Sequence, residues 1–382
     1  MKFSIKKTVR RFFKYLGILI LLILLTGIAF LNLSPQFGGK ASKEQKEEYA
    51  QTGHYSDGQF LNDEEIDMQM DCHSLEAMIN EMLVPDPNLV PDHDLEVLSF
   101  DTKTIVEDKS MTRVTWLGHS SFLIEFEGKV ILLDPVFGQY ASPHPYFGRP
   151  RFFKKLPFEV KDLAHVDLVI ISHDHYDHLD YPSIKEMKDK VDHFFVPLGI
   201  GNHLKRWKVE EEKISEFDWW DEELFEGLKI ACTPSRHMSG RGLTDQSATL
   251  WASWVIQGKE KNLYFSGDGG YGEHFKTIGQ KYGPFDIGLM ECGQYNDLWK
   301  DVHMTPEQSV QASMDLGTEL IIPIHWGAFA LATHSWVDPV ERITAEAARL
   351  DRPIATPKIG ESVIVKDSLK MSFERWWEEI ES

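Results

Sequence analysis

The run His173-Asp174-His175-Tyr176-Asp177-His178 sets three imidazoles and two carboxylates in consecutive positions. On an extended segment alternate side chains share a face, so His173 and His175 project together. Asp177 and His178, a turn further on, reach a second point close by. Neutral imidazole nitrogens and carboxylate oxygens are the usual ligands of zinc and related divalent ions. One short loop could therefore supply much of a two-metal centre. Just upstream, residues 166–171 form an apolar, β-branched run of strand length, which puts the cluster where a buried strand gives way to a loop. Histidine tracts also occur as tags or solvated loops, but those carry no apolar strand ahead of them.

A dinuclear site needs further ligands, and other strand ends offer them. His237 follows the strand-like residues 228–230 and the segment 231–236. Asp268 closes Leu263-Tyr264-Phe265-Ser266-Gly267-Asp268, and His325 closes Leu320-Ile321-Ile322-Pro323-Ile324-His325. A lone histidine on an apolar segment is ordinarily a satisfied core residue, and a lone aspartate beside glycine a turn former. Taken together, in this order and each at a strand end, they complete a ligand set.

With these residues the chain resembles the metallo-β-lactamase superfamily, and within it the branch of N-acylphosphatidylethanolamine-hydrolysing phospholipases D, as a bacterial-type relative. The resemblance is carried by Trp116-Leu117-Gly118-His119, Leu133-Asp134-Pro135-Val136-Phe137, the histidine run, Thr233-Pro234-Ser235-Arg236-His237, Gly267-Asp268-Gly269-Gly270-Tyr271 and Ile324-His325-Trp326-Gly327, in unbroken order. It covers residues 114–365. It implies an α/β fold, a four-layer αββα sandwich with the metals at one sheet edge. It also implies that His173, His175 and His237 hold one ion, that Asp177, His178 and His325 hold the other, and that Asp268 bridges them. The cofactors implied are two divalent ions, zinc first, with iron or manganese also suited to such ligands. A water between two cations is acidified to hydroxide near neutral pH and becomes the nucleophile. The implied reaction is cleavage of a phospholipid phosphodiester, giving phosphatidic acid and N-acylethanolamine. Two alternatives stand beside it: the same metallohydrolase acting on another phosphodiester, a lactone or a sugar phosphate, and a non-enzymatic envelope binding or scaffold protein. The filled ligand set argues against the last.

Around this set, Asp134 ends an apolar strand before a proline. It either orients a metal-bound histidine through a hydrogen bond or simply makes the turn. His119 also follows a strand and reads first as structural, with a supporting role at the metals as the alternative. His303 precedes Thr305-Pro306-Glu307-Gln308, an N-cap, a proline at the first helical position and a capping-box glutamine. The family's matching histidine lies near the substrate phosphate, so His303 is either a proton donor or a surface residue before a helix. Tyr295 is a weaker candidate of the same sort. The run Glu291-Cys292-Gly293-Gln294-Tyr295 departs from the less polar stretch expected from animal members and leaves acyl and headgroup preference open. Residues 137–155 alternate aromatics and cations between prolines. Such a loop can put rings into a lipid interface while its cations meet phosphate, or it can be a packed loop with solvated charges.

The elements that must position these residues begin with an anchor. Residues 15–33 are uncharged and long enough to cross a bilayer, and Lys2, Lys6, Lys7, Arg10, Arg11 and Lys14 precede them. The positive-inside tendency puts residues 1–14 in the cytoplasm and the bulk of the chain outside it. A cleavable signal peptide is the alternative; the long apolar core favours an uncleaved anchor. Residues 34–109 read as linker and extension: 38–58 a polar linker, 74–83 a short amphipathic helix, 84–94 a loop. Residues 110–382 form the hydrolase domain, strands first, with helices expected at 181–190, 305–316 and 339–349. The three cysteines, Cys72, Cys232 and Cys292, show no metal or redox spacing, and the last two are expected in the core. A net charge of −20 argues against nucleic-acid partners. The expected partners are a phospholipid substrate and a membrane, and a homodimer is compatible with the sequence.

Overall fold

The computed structural model describes residues 2–67, 80, 83–105, 110–365 and 373–379. A small hairpin, β1 (Tyr55–Ser56) and β2 (Gln59–Phe60), comes first. Strands β3 (Arg113–Gly118), β4 (Ser121–Phe126), β5 (Lys129–Leu133), β6 (Val166–Ile170), β7 (Val191–Pro197) and β8 (Ile214–Phe217) build one sheet. Strands β9 (Glu222–Phe225), β10 (Leu228–Thr233), β11 (Ser253–Gln257), β12 (Asn262–Phe265), β13 (Phe285–Glu291) and β14 (Thr318–Ile324) build a second. The last, β15 (Ser362–Ile364), returns to pair with β3. Both sheets are mixed. Antiparallel meanders (β15 and β3–β5; β9–β12) give way to parallel strands (β5–β8; β12–β14).

Strand alternation explains the layering. Phe122, Ile124, Ile131, Leu133, Leu168, Ile170 and Phe195 point from the first sheet into a core shared with Ile230, Cys232, Trp254 and Ile256 of the second. The intervening residues, Leu123, Leu132, Val169, Ile171, Phe194 and Val196, form another core. Ile184 and Met187 of a helix at Tyr181–Met187 and Leu204 of one at Gly201–Arg206 complete it. On the second sheet, the helix Pro306–Leu316 packs against β13 and β14, flanked by helices His274–Tyr282 and Asp338–Arg349. The result is the four-layer αββα sandwich. The capping box is formed as read: the Thr305 hydroxyl accepts from Gln308 N–H, and Gln308 Oε1 accepts from Thr305 N–H at 3.0 Å. Gly317 closes this helix at φ +72°, a conformation open to glycine.

At the N-terminus a single helix runs Lys2–Leu33, and its part Lys7–Leu33 is long and apolar enough to cross a membrane. The helix is continuous with the basic tail. The stretch 38–58 differs from the polar linker expected. It holds a helix, Lys43–Tyr49, with its own capping box at Ser42 and Gln45, and the first strand of the hairpin β1–β2. Tyr49 and Phe60 are buried, their rings tilted against each other with centroids 5.3 Å apart. The physical reason is that these widely spaced aromatics find an apolar seat on the domain, which a local reading of polar composition does not register. Residues 84–94 carry no regular element. The helix expected at 74–83 lies almost wholly outside the described residues, as does Cys72.

Candidate metal centre

Every candidate ligand stands just past the C-terminal end of a strand, and all these ends meet at one edge. β6 delivers the histidine run, β10 delivers His237, β12 delivers Asp268 and β14 delivers His325. Asp134 and His119 follow β5 and β3. Three of these turn residues, His119, Asp134 and His325, have φ of +54°, +38° and +67°. Non-glycine residues rarely adopt that conformation, and its cost is tolerated where surrounding contacts fix it.

His173 and His175 do share a face. His173 Nε2 lies 2.9 Å from His175 Nδ1, and His237 Nε2 lies 3.3 Å from the same atom. These nitrogens could hold one ion. Asp174 points the opposite way. Its carboxylate accepts from Gly240 N–H at 2.7 Å and faces His203 Nε2 at 3.2 Å. Asp177 Oδ2 sits 3.3 Å from His178 Nε2 and 3.9 Å from His325 Nδ1, a second group that could hold an ion. Asp268 lies between the two groups. Its Oδ2 is 3.0 Å from His178 Nε2, 3.8 Å from His173 Nε2 and 4.0 Å from His237 Nε2, while Oδ1 is 3.2 Å from His325 Nδ1.

Most of these rings are in the charge state a cation needs; His178, held protonated by its carboxylates, would release a proton on becoming a ligand. Burial first, then neighbouring imidazoles, holds His173 and His237 well below the usual histidine range, leaving neutral rings with free lone pairs. Burial does the same to His325. Burial alone would depress His178, but the carboxylates of Asp268, Asp177 and Asp134 outweigh it and push it well above that range. Burial likewise opposes ionisation of Asp177 and Asp268, and the surrounding histidines overcome it. His178 Nε2 and Asp268 Oδ1 are buried and, close as their neighbours lie, neither is satisfied by a well-formed hydrogen bond. Such atoms are costly unless something satisfies them, and a divalent cation fits this donor set.

The residues that strand-end reading left open make the following contacts. Asp134 Oδ2 lies 2.7 Å from His178 Nδ1, and the same carboxylate accepts from Ser172 N–H at 2.7 Å and Ser172 Oγ at 2.5 Å. His119 Nε2 lies 2.9 Å from Asp177 Oδ2, its ring 4.3 Å from that of His325. His303 stacks on His325 with centroids 5.2 Å apart and stands 5.0 Å from His237. Its Nδ1 is 2.7 Å from Oε1 of Glu291. Tyr295 is differently engaged. Its hydroxyl donates to Asp338 and its ring stacks on His334 at 4.4 Å, with the Arg342 guanidinium 4.9 Å from the ring centre. Its contacts go to the Asp338–Arg349 helix and the segment before it, and not to the metal-ligand candidates.

Two further residues at the site were not read as part of it, although Glu291 opens the run that departs from the animal members. Glu291, at the end of β13, is wholly buried; burial pushes its carboxyl up to about 7. Its second oxygen accepts from Met304 N–H at 3.2 Å and Gly269 N–H at 3.3 Å. Asn62, in the N-terminal extension, grips His237 on both sides of its backbone. The signal for Glu291 was a charge closing an apolar strand. Asn62 gave none, since nothing local marks it. Cys232 and Cys292 are free and buried in the core.

Residues 129–326 match a family model described as the beta-lactamase superfamily domain. An uncharacterized protein of Mycobacterium tuberculosis is 37% identical over 332 residues, covering 86% of this chain and 88% of its own. A Caenorhabditis elegans protein named N-acyl-phosphatidylethanolamine-hydrolyzing phospholipase D 1 is 32% identical over 242 residues, 60% of this chain and 68% of its own. Among solved structures, the metallo hydrolase Igni18 of Ignicoccus hospitalis superposes with a TM-score of 0.51 at 23% identity, over 68% of this chain and 100% of its own, a likeness of fold.

Proposed function

The chain belongs to the metallo-β-lactamase superfamily and is a metal-dependent hydrolase, and on that premise we propose that it is a membrane-anchored phosphodiesterase. The reaction proposed is phospholipase D-type hydrolysis of N-acylphosphatidylethanolamine. The observation that carries the reading is the position of Asp268, whose two oxygens face both groups of histidines at once. The substrate class follows the nematode relative and the apolar N-terminal helix.

His173, His175 and His237 would hold one divalent ion, Asp177, His178 and His325 a second, with Asp268 shared and zinc the first choice. Bound there, two cations supply Lewis acidity, lowering the pKa of a water toward neutrality and offsetting charge at the phosphoryl group. The chain's own residues do the rest. Asp134 accepts from His178 Nδ1–H and fixes the tautomer that leaves Nε2 free as a ligand. His119 holds Asp177 from the other side. His303, oriented by Glu291, presents its outer nitrogen beside both histidine groups and protonates the leaving oxygen. The helix Lys7–Leu33 serves as an uncleaved anchor, with the basic tail in the cytoplasm and the catalytic domain outside it.

The experiment is turnover of N-acylphosphatidylethanolamine in mixed micelles by the purified, zinc-loaded chain, reading phosphatidic acid directly. Production abolished by a chelator is expected. Absence of product with metal confirmed bound would overturn the substrate assignment.

A further inference from the structure

No free tether separates the N-terminal helix from the domain. Its last residues and those that follow are taken into the fold at once. The Arg206 guanidinium donates to Asn32 O at 3.0 Å, Ser34 O at 3.1 Å and also to Gly38 O. Trp207 Nε1 donates to Pro35 O at 2.7 Å. Arg241, buried and stacked on Tyr176 at 4.1 Å, donates to Gln36 O at 2.7 Å. The same guanidinium donates to Leu179 O at 2.8 Å and to Asp174 O. One side chain thus joins the exit of the anchor to the loop that carries His173–His178.

The loop between β5 and β6 meets the same helix. Phe30, inside the apolar span, lies 6.3 Å from the Phe147 ring and 6.4 Å from His144. Phe30 sits three residues before the helix end, about 4.5 Å along its axis. Phe147 is therefore level with the end of the anchor's apolar stretch. Residues 145–150 are all exposed, Tyr146 at 89% and Phe147 at 68%. The rest of the loop is buttressed from below. Gly138 N–H donates to Asp180, Phe137 N–H to Ser183 Oγ, and Phe152 N–H to Ala328 O at 2.8 Å. Phe153 lies buried against Gly118. The stem thus rests on the chain beside both the histidine run and His325. Of the cations read from the sequence, Arg151 turns inward to Phe137 O and Phe153 O, and Lys154 pairs with Asp94. The exposed tip keeps its aromatics and Arg149.

Exposed aromatic rings beside a spanning helix sit well at the boundary of hydrocarbon and headgroups, and exposed apolar groups of this kind mark interaction surfaces. We infer that the loop tip at Tyr146 and Phe147 is a second membrane contact, seated in the bilayer surface next to the anchor, so that the metal-ligand edge of the sandwich faces the lipid. This rests on the membrane-anchored reading above. It deepens that reading by assigning the surface that meets the bilayer, and it is tested apart from turnover.

The test uses the full chain in phosphatidylcholine–phosphatidylethanolamine vesicles, in a Cys72→Ser background, since Cys232 and Cys292 are buried. A fluorophore is placed at Tyr146→Cys, or at Leu224→Cys, an exposed position on the edge strand β9 at the far end of β10. Nitroxide groups on shallow acyl positions are expected to quench the label at 146 several-fold more than the label at 224. Equal, weak quenching at both would overturn the proposal. Phe147→Asp is expected to raise KM several-fold for vesicle substrate while leaving bound metal and kcat on a short-chain soluble phosphodiester unchanged. Quenching at 146 without phospholipid turnover would support the docking surface while removing the substrate assignment. Turnover without quenching would do the reverse.

Discussion

Asn62 holds His237 as a neighbouring strand would: its Nδ2 donates to His237 O at 2.8 Å and its Oδ1 accepts from His237 N–H at 3.0 Å. The same Oδ1 accepts from Trp251 Nε1 at 3.1 Å. Asn62→Ala leaves the His237 N–H and C=O unpaired, while Trp251 Nε1 keeps its bond to Ser235 O at 2.9 Å, with a cost of about 2 kcal/mol. Urea unfolding of the metal-free protein should show that loss, and zinc titration should show weaker binding. Unchanged values in both would remove the extension from the site's scaffold.

Asp134 is wholly buried, its carboxylate held by Ser172 and His178. Asp134→Asn keeps its shape but weakens its hold on the His178 tautomer. Metal affinity should fall about 10–100-fold, read by competition with a chromophoric chelator. Parent-like affinity would return Asp134 to the role of a turn residue.

Asp268→Asn removes the charge shared between both histidine groups. It should lose most activity and bind less metal per chain. Full activity in this variant would sink the two-metal mechanism.

Glu291 and His303 make a pH prediction. Burial lifts Glu291 from 4.5 to about 7. The folded chain thus keeps a proton that the unfolded chain has released. The stability tied to this group is full below 4.5 and is lost as pH rises through about 7. In metal-free protein, Glu291→Gln should flatten that decline, a difference on the order of 3 kcal/mol between the limits. In turnover, burial pulls His303 down and Glu291 is the main group raising it. Removing the carboxylate should move the alkaline limb of the rate profile to lower pH. A limb that stays in place would exclude His303 as the proton donor.

The metal loop was legible because a period of two is local: His173 and His175 face the site and Asp174 does not. The strand ends at His237, Asp268 and His325 were legible for the same reason, an apolar run closing on a polar residue. Roles set by distant partners were not. Asn62 reaches His237 across the whole first sheet's worth of chain, and no spacing rule records that. Arg151 read as a surface cation, yet four carbonyl oxygens of its own loop draw it inward. Tyr295 sat near the site in sequence, but Asp338 and Arg342 claim it. The extension read as linker because its buried aromatics, Tyr49 and Phe60, are too sparse to show a period.

The most direct measurement of the central claim is activity against metal loading, with ions per chain counted on the same sample. The account predicts two ions per chain at saturation, turnover that appears as the second site fills, and, with Asp268→Asn, fewer ions per chain and loss of most turnover. Full turnover with one ion per chain, or with none, would contradict it.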